Sequence, residues 1–404
     1  MNFRHFRAQM GCQNGKVILA RVLMLFLIGT FALCASFAYA GQFDFIALAD
    51  IHFDPFTSCS GNKPCVLIEK LRRNPVEKWP DLFAHYSAPA KRFQDSNYQL
   101  LVSALSASSQ IADKSHAQFV LVLGDFLGHE FRSRYKRYSS DKTASQYQLF
   151  TEKTLAFLTR ELASAFPSLD IYTVVGNNDS YQGDYIIKPD GRFFSDAGRM
   201  WSGLIKNQHN KLVMQEQFSH AGYYSVVLPS PANSILIVMN TVLFSTKAKG
   251  RNLDKIASQE LNWLHAQLQK AKEFHQGVFL AMHIPEGIDF YATKRTRLFR
   301  LITLWKPQYA TRFQSELNQY SAQIAGIFAG HLHRNWFQMA KLDHAEIPVI
   351  GIISISPIFG NNPGFGRISY FTDPIRLDNV STWSFPLYGT VWMQQTWRKD
   401  FFVI

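Results

Sequence analysis

The chain has 404 residues, 47% of them hydrophobic and only 18% charged, with 34 phenylalanines and a formal net charge of +12. That composition excludes a disordered, charge-solvated chain and supplies ample apolar surface for one large domain or two average ones. The basic balance favours anionic partners such as phosphorylated substrates, nucleotides, polyphosphate or lipid headgroups, while no basic run interleaved with aromatics suggests a nucleic-acid groove.

The first forty residues stand apart. Arg4, Arg7, Lys16 and Arg21 give a positive start without an acid, the apolar run VLMLFLIGTFALCASF follows, and Ala38-Tyr39-Ala40 places small residues where a signal peptidase reads them. Residues 1–40 therefore read as a secretory signal cleaved before Gly41, which makes the product periplasmic or secreted. The alternative is a retained anchor, because the run is nearly long enough to span a bilayer. Cleavage would remove those four positive charges and two of the four cysteines, Cys12 and Cys34. The remaining pair, Cys59 and Cys65, lies in the Gly- and Pro-containing stretch SCSGNKPC, where an oxidising compartment permits a local disulfide. A zinc knuckle would need more thiols nearby.

From residue 41 onward one pattern recurs: a short β-rich apolar run stops at polar residues able to bind metals. FDFIALAD-IH ends with Asp50 and His52, FVLVLGDFLGHE with Asp125 and then His129, and IYTVVGNND with Asn177. VFLAMHIPEG ends with His283, and IAGIFAGHLH with His331 and His333. Helical stretches lie between them. DSNYQLLVSALSASSQIADK opens on Asp95 or Ser96 as N-cap, QYQLFTEKTLAFLTRELASAF is similar, and SQELNWLHAQLQKAKEFH has Ser258 as cap with Glu260 in its first turn. Alternating strands and helices predict α/β layers, in which the carboxyl ends of neighbouring strands open onto one crevice. The aromatic tail WSFPLYGTVWMQQTWRKDFFVI reads as sheet and core rather than a membrane-touching surface.

Gly-Asn-Asn-Asp alone would be a turn, because Gly and Asn tolerate positive φ. As the third of five such clusters it reads as a coordination loop. Seven ligands exceed the four that one zinc takes, whereas two ions sharing a bridging carboxylate would use them all. Mixed Asp, Asn and His donors suit zinc first, with manganese or iron as alternatives, over copper or calcium.

The ordered blocks D-x-H, G-D, G-N, His and G-H-x-H, from Asp50 to His333, resemble the calcineurin-like metallophosphoesterases. The resemblance implies a four-layer α/β/β/α sandwich with two mixed sheets, forming a single catalytic domain over residues 41–404 with a short C-terminal extension. It assigns Asp50, His52 and His333 to one metal and Asn177, His283 and His331 to the other, with Asp125 bridging. GDFLGHE, HIPEG and FGNNPGFGR are similar to the acid-sphingomyelinase-like phosphodiesterase branch, and GNND beside GDFLGH is similar to the endopolyphosphatase-like members. Asn178 stands where the family's usual motif carries a histidine that protonates the leaving group, and an amide cannot do that work at neutral pH. The expected catalytic residues are His129, as proton donor or leaving-group contact, and Asn178, as hydrogen-bond donor to a phosphate oxygen or to the bridging water. The reading is an exported two-metal phosphoesterase that uses a metal-bridging hydroxide on phosphodiester or phosphoanhydride bonds of nucleotides or polyphosphate. A sphingomyelin-type lipid phosphodiesterase and a non-catalytic metal-binding relative are the alternatives. Membrane contact and oligomeric state stay open.

Overall fold

The computed structural model describes residues 41–61, 63–86, 88–229, 233–296, 299–387 and 398–402, so the expected signal segment lies outside it. Each of the five apolar runs forms a strand, and the five divide between two sheets. The first sheet holds β1 (Gln42–Leu48), β2 (Phe119–Val122), β3 (Asp170–Thr173), β10 (Gly364–Thr372), β11 (Ile375–Ser384) and β12 (Arg398–Phe402), in the order β12-β11-β10-β1-β2-β3. The second holds β4 (Tyr224–Val227), β5 (Ser234–Val238), β6 (Gly277–Met282), β7 (Ile324–Ala329), β8 (Trp336–Lys341) and β9 (Glu346–Gly351), in the order β4-β5-β6-β7-β9-β8. Both are mixed. β1, β2 and β3 run parallel, as do β5, β6, β7 and β9, and the remaining pairings are antiparallel.

The parallel strands are buried almost throughout, which is why they read as continuous apolar runs rather than alternating ones. Aromatic rings fasten the sheets face to face. Phe45 of β1 meets Phe328 of β7 edge-on at 5.2 Å between centroids, and Tyr370 of β10 meets Phe279 of β6 at 5.4 Å. Such pairs contribute beyond their buried area. Helices flank the sheets, giving the expected α/β sandwich: Tyr98–Ser115 packs on β1 and β10, and Leu253–Glu273 on β5 and β6. No helix among the described residues is long and apolar enough to cross a membrane.

Two helix starts differ from the sequence reading. The helix Tyr98–Ser115 is capped by Asn97, whose side chain accepts from Leu100 N–H at 2.9 Å, rather than by Asp95 or Ser96. Asp95 is withdrawn into the site described below. The helix Leu253–Glu273 begins five residues before Ser258, whose hydroxyl donates back to the Asp254 carbonyl as an interior residue, and Glu260 is buried instead of lying in an exposed first turn. In the aromatic tail, Trp383 and Ser384 close β11, β12 pairs alongside it, and residues 388–397 lie outside the described set. Cys59 and Cys65 are joined, with 5.6 Å between their Cα atoms.

Candidate metal centre

The carboxyl ends of β1, β2 and β3 bring Asp50, His52, Asp125 and Asn177 to one crevice, and the ends of β6 and β7 bring His283, His331 and His333 from the other sheet. The turns there are tight. Five of the seven residues have positive φ without being glycine: Asp50 (50°), His52 (42°), Asp125 (53°), His331 (69°) and His333 (58°). Backbone in that region costs free energy and persists where its surroundings over-determine it, and such residues gather at functional sites. The glycine of the G-N motif has a plain reason. A Cβ on Gly176 would sit 2.1 Å from both the backbone N and Oδ1 of Asp125, so only a bare Cα lets the two loops touch.

Asp125 Oδ2 lies 3.3 Å from His52 Nε2 and 3.2 Å from His283 Nε2, and so faces two imidazoles that belong to different sheets. On the His52 side, His333 Nε2 is 3.1 Å from His52 Nε2 and 3.4 Å from Asp50 Oδ1. On the other side, Asn177 Oδ1 is 3.1 Å from His283 Nε2, and His331 joins Asp125 and His283 with ligand atoms within 4.8 Å of one another. The sheets are also tied directly here, because His331 N–H donates to the Asp50 carboxylate at 3.0 Å.

This donor set fits cations. His52 Nδ1 bonds the Leu127 carbonyl at 3.0 Å and His283 Nδ1 bonds the Leu123 carbonyl at 2.7 Å. A carbonyl only accepts, so each ring carries a proton on Nδ1 and turns Nε2 into the crevice, as a lone pair whenever the ring is neutral. Asn177 is oriented likewise: its Nδ2 donates to Asp184 at 2.8 Å, which leaves Oδ1 pointing at His283. Imidazole nitrogens, an amide oxygen and carboxylates thus converge, a donor set that a positive ion fits. For His283, burial favours the neutral ring, but the charge and bond of Asp125 and the charge of Asp50 raise its pKa to about 9, so the carboxylates draw positive charge into the crevice. Burial, with the neighbouring charges of His129 and His283 respectively, pushes His52 down to about 4 and His331 down to about 3, keeping both imidazoles neutral. Burial lifts Asp50 to about 7, whereas facing imidazoles hold Asp125 well below the usual carboxylate range against the same burial.

Of the two expected catalytic residues, His129 stands over the crevice with its ring stacked on His52 at 4.1 Å. Asn178 is directed to Asp125 instead of outward: its backbone N–H donates to Oδ1 at 2.7 Å and its Nδ2 to Oδ2 at 2.9 Å. Three carboxylates and a tyrosine were not singled out as site residues in the sequence. Asp95 accepts from the His129 backbone N–H at 2.7 Å, meets His129 Nδ1 at 3.0 Å, and accepts from the Ser356 hydroxyl at 2.9 Å. Burial favours the neutral ring, but the bond and charge of Asp95 prevail and raise His129 above its ordinary value. Asp179 stitches two loops by accepting from Phe126 N–H and Gly176 N–H at 2.8 and 2.9 Å. Asp184 orients Asn177, and the Tyr185 hydroxyl lies 3.4 Å from His331 Nε2. The fourth residue of G-N-N-D was the one legible hint, since a buried Asp after two amides needs donors.

The family model described as calcineurin-like phosphoesterase matches residues 43–335. Sphingomyelinase phosphodiesterase D of Dictyostelium discoideum is 24% identical, over 73% of this chain and 61% of that protein. Cyclic GMP-AMP phosphodiesterase SMPDL3A of Rattus norvegicus is 23% identical, over 68% of this chain and 58% of that protein. Endopolyphosphatase of Schizosaccharomyces pombe is 25% identical, over 59% and 38%. The chain therefore spans about three fifths of the length of the first two relatives. With the family model covering well over half its length and the facing side chains arranged across two sheets, this chain belongs to the calcineurin-like phosphoesterase family.

Proposed function

We propose that residues 41–404 act as a single, exported catalytic domain that hydrolyses phosphodiester or phosphoanhydride bonds of soluble anionic substrates, nucleotides or polyphosphate, with two divalent cations, zinc foremost. The observation that carries the reading is Asp125 Oδ2, set within 3.3 Å of the Nε2 atoms of His52 and His283 on the two sides of the crevice. The family implies two divalent metals; Asp50, His52 and His333 would hold one, Asn177, His283 and His331 the other, and Asp125 both. Bound cations neutralise charge on phosphoryl oxygens and make water a nucleophile near neutral pH.

The chain's own residues do the rest. Asn178 donates two hydrogen bonds to Asp125 and so fixes the angle of the shared carboxylate. His129, oriented by Asp95 and raised by it above its ordinary value, presents its other ring nitrogen, Nε2, as the donor to a departing oxygen. The Cys59–Cys65 bridge supports export, because disulfides persist in oxidising compartments. A phospholipid substrate is the second reading, favoured by the name of the Dictyostelium relative.

The test is a panel of nucleotides, polyphosphate, bis-p-nitrophenyl phosphate and dispersed sphingomyelin, assayed after chelation and again after metal is added back. Hydrolysis restored by metal and strongest on the soluble anions is expected. Two bound metals with no turnover of even the activated ester would sink the hydrolase reading in favour of a metal-binding relative.

A further inference from the structure

The N-N-P-G segment and the loop before Asp95 meet beside the crevice, and the metal centre uses the aromatic side chains of neither. Phe359 stands edge-on to His333 at 4.7 Å and to His129 at 5.6 Å, yet 48% of it is exposed. Phe93 is 67% exposed. Its φ of 64° is an outlier for a bulky residue, and strain of that kind is held where the fold gains something from it. The two loops are fastened on one carbonyl: Phe93 N–H and Gly360 N–H both donate to Pro357 O, at 3.1 and 2.9 Å. A Cβ on Gly360, whose own φ is 77°, would lie 2.5 Å from the Phe93 ring, so this glycine lets the ring rest against the backbone. A strained backbone at Phe93 thus sets one exposed phenyl ring against the loop whose Phe359 faces His129 and His333. Lys91 and Arg92, both exposed, precede Phe93 in the same loop, and Asp95, which orients His129, follows it.

We propose that Phe93 and Phe359 form an aromatic ledge that stacks the base of a nucleotide whose phosphate is held at the metal centre, on the His129 side. Exposed aromatic faces next to cations and a phosphate site match a ligand that is planar at one end and anionic at the other. An acyl chain calls for an enclosed apolar groove instead. The inference rests on the proposed function for the position of the phosphate and narrows its substrate class to nucleotides over inorganic polyphosphate.

Calorimetric titration of the metal-loaded protein with AMP and with inorganic phosphate tests it without any turnover. Base–aromatic stacking predicts that AMP binds about tenfold more tightly than phosphate or better. Phe93→Leu, which leaves Phe359 and its histidine contacts in place, should remove most of that gap, and Phe93→Tyr should keep it. Equal affinities in the parent protein, a gap that survives Phe93→Leu, or Phe93-dependent binding of a lysophospholipid but not of AMP would each overturn the ledge. Kinetics separate the two readings. Phe93-dependent AMP binding without hydrolysis of any substrate leaves the ledge standing and removes the hydrolase. Hydrolysis of a nucleotide and of polyphosphate with equal, Phe93-independent kcat/KM does the reverse.

Discussion

His129 illustrates how one side chain gains a role from a residue far away in the chain. Asp95, 34 positions earlier, accepts from both its backbone and its ring, and Ser356 in turn holds Asp95. If His129 Nε2 protonates the leaving oxygen, His129→Ala should slow alkyl phosphodiesters by about 10²–10⁴-fold while sparing p-nitrophenyl phosphodiesters, whose leaving group needs no proton. Steady-state kcat on the two ester classes checks this, and equal losses on both would remove the proton-donor role. The seven candidate ligand residues stand out in the sequence because each lies where an apolar run ends, which is a local signal. Asp95 and Asp184 carry no such signal, since a lone Asp in a loop looks the same whether it faces water or a buried partner.

At the scale of the element, the helix Leu253–Glu273 shows what periodicity misses. Its true start, with Asn252 at a positive φ of 55° and no side-chain cap, follows no capping pattern, so Ser258 looked like the cap. The shift carries Glu260 inward, where Oε1 accepts from Asn240 N–H at 2.7 Å. Burial outweighs that bond and lifts Glu260 from 4.5 to about 8. The folded protein therefore retains a proton that the unfolded chain has released across this interval. The stability it contributes is complete below about pH 4.5 and is lost as pH rises through about 8. Glu260→Gln, neutral at every pH, should match the parent Tm near pH 5 and exceed it by several degrees near pH 9. Thermal melts at the two pH values decide; an unchanged difference between them would show that Glu260 titrates as an ordinary surface acid.

At the scale of the whole molecule, the candidate centre lies across the seam of the sandwich. Four donors come from the sheet of β1, β2 and β3, and three from the sheet of β6 and β7. Cations held there would fasten the sheets where aromatic packing gives way to polar loops. Chelation should then lower thermal stability as well as activity, by about 4 kcal/mol where free metal had stood a thousandfold above Kd. Calorimetry before and after chelation, with zinc or manganese added back, measures the loss and its recovery. A melting curve indifferent to metal would separate the centre from the fold.

The sequence alone determined the strand-end clusters, the residue types within them and the α/β class, because apolar runs, glycine-bearing turns and metal-binding side chains are written over a few neighbouring positions. It also carried the ordered blocks from Asp50 to His333 that mark the family. Only the tertiary structure decided that the five strands split three and two between sheets, that Asn178 turns to Asp125, and that Asp95 belongs to His129 rather than to a helix end. Those outcomes depend on burial and on partners as distant as Asp50 and His331, 281 residues apart. A hydrogen bond is decided by separation in space, and spacing along the chain does not encode that.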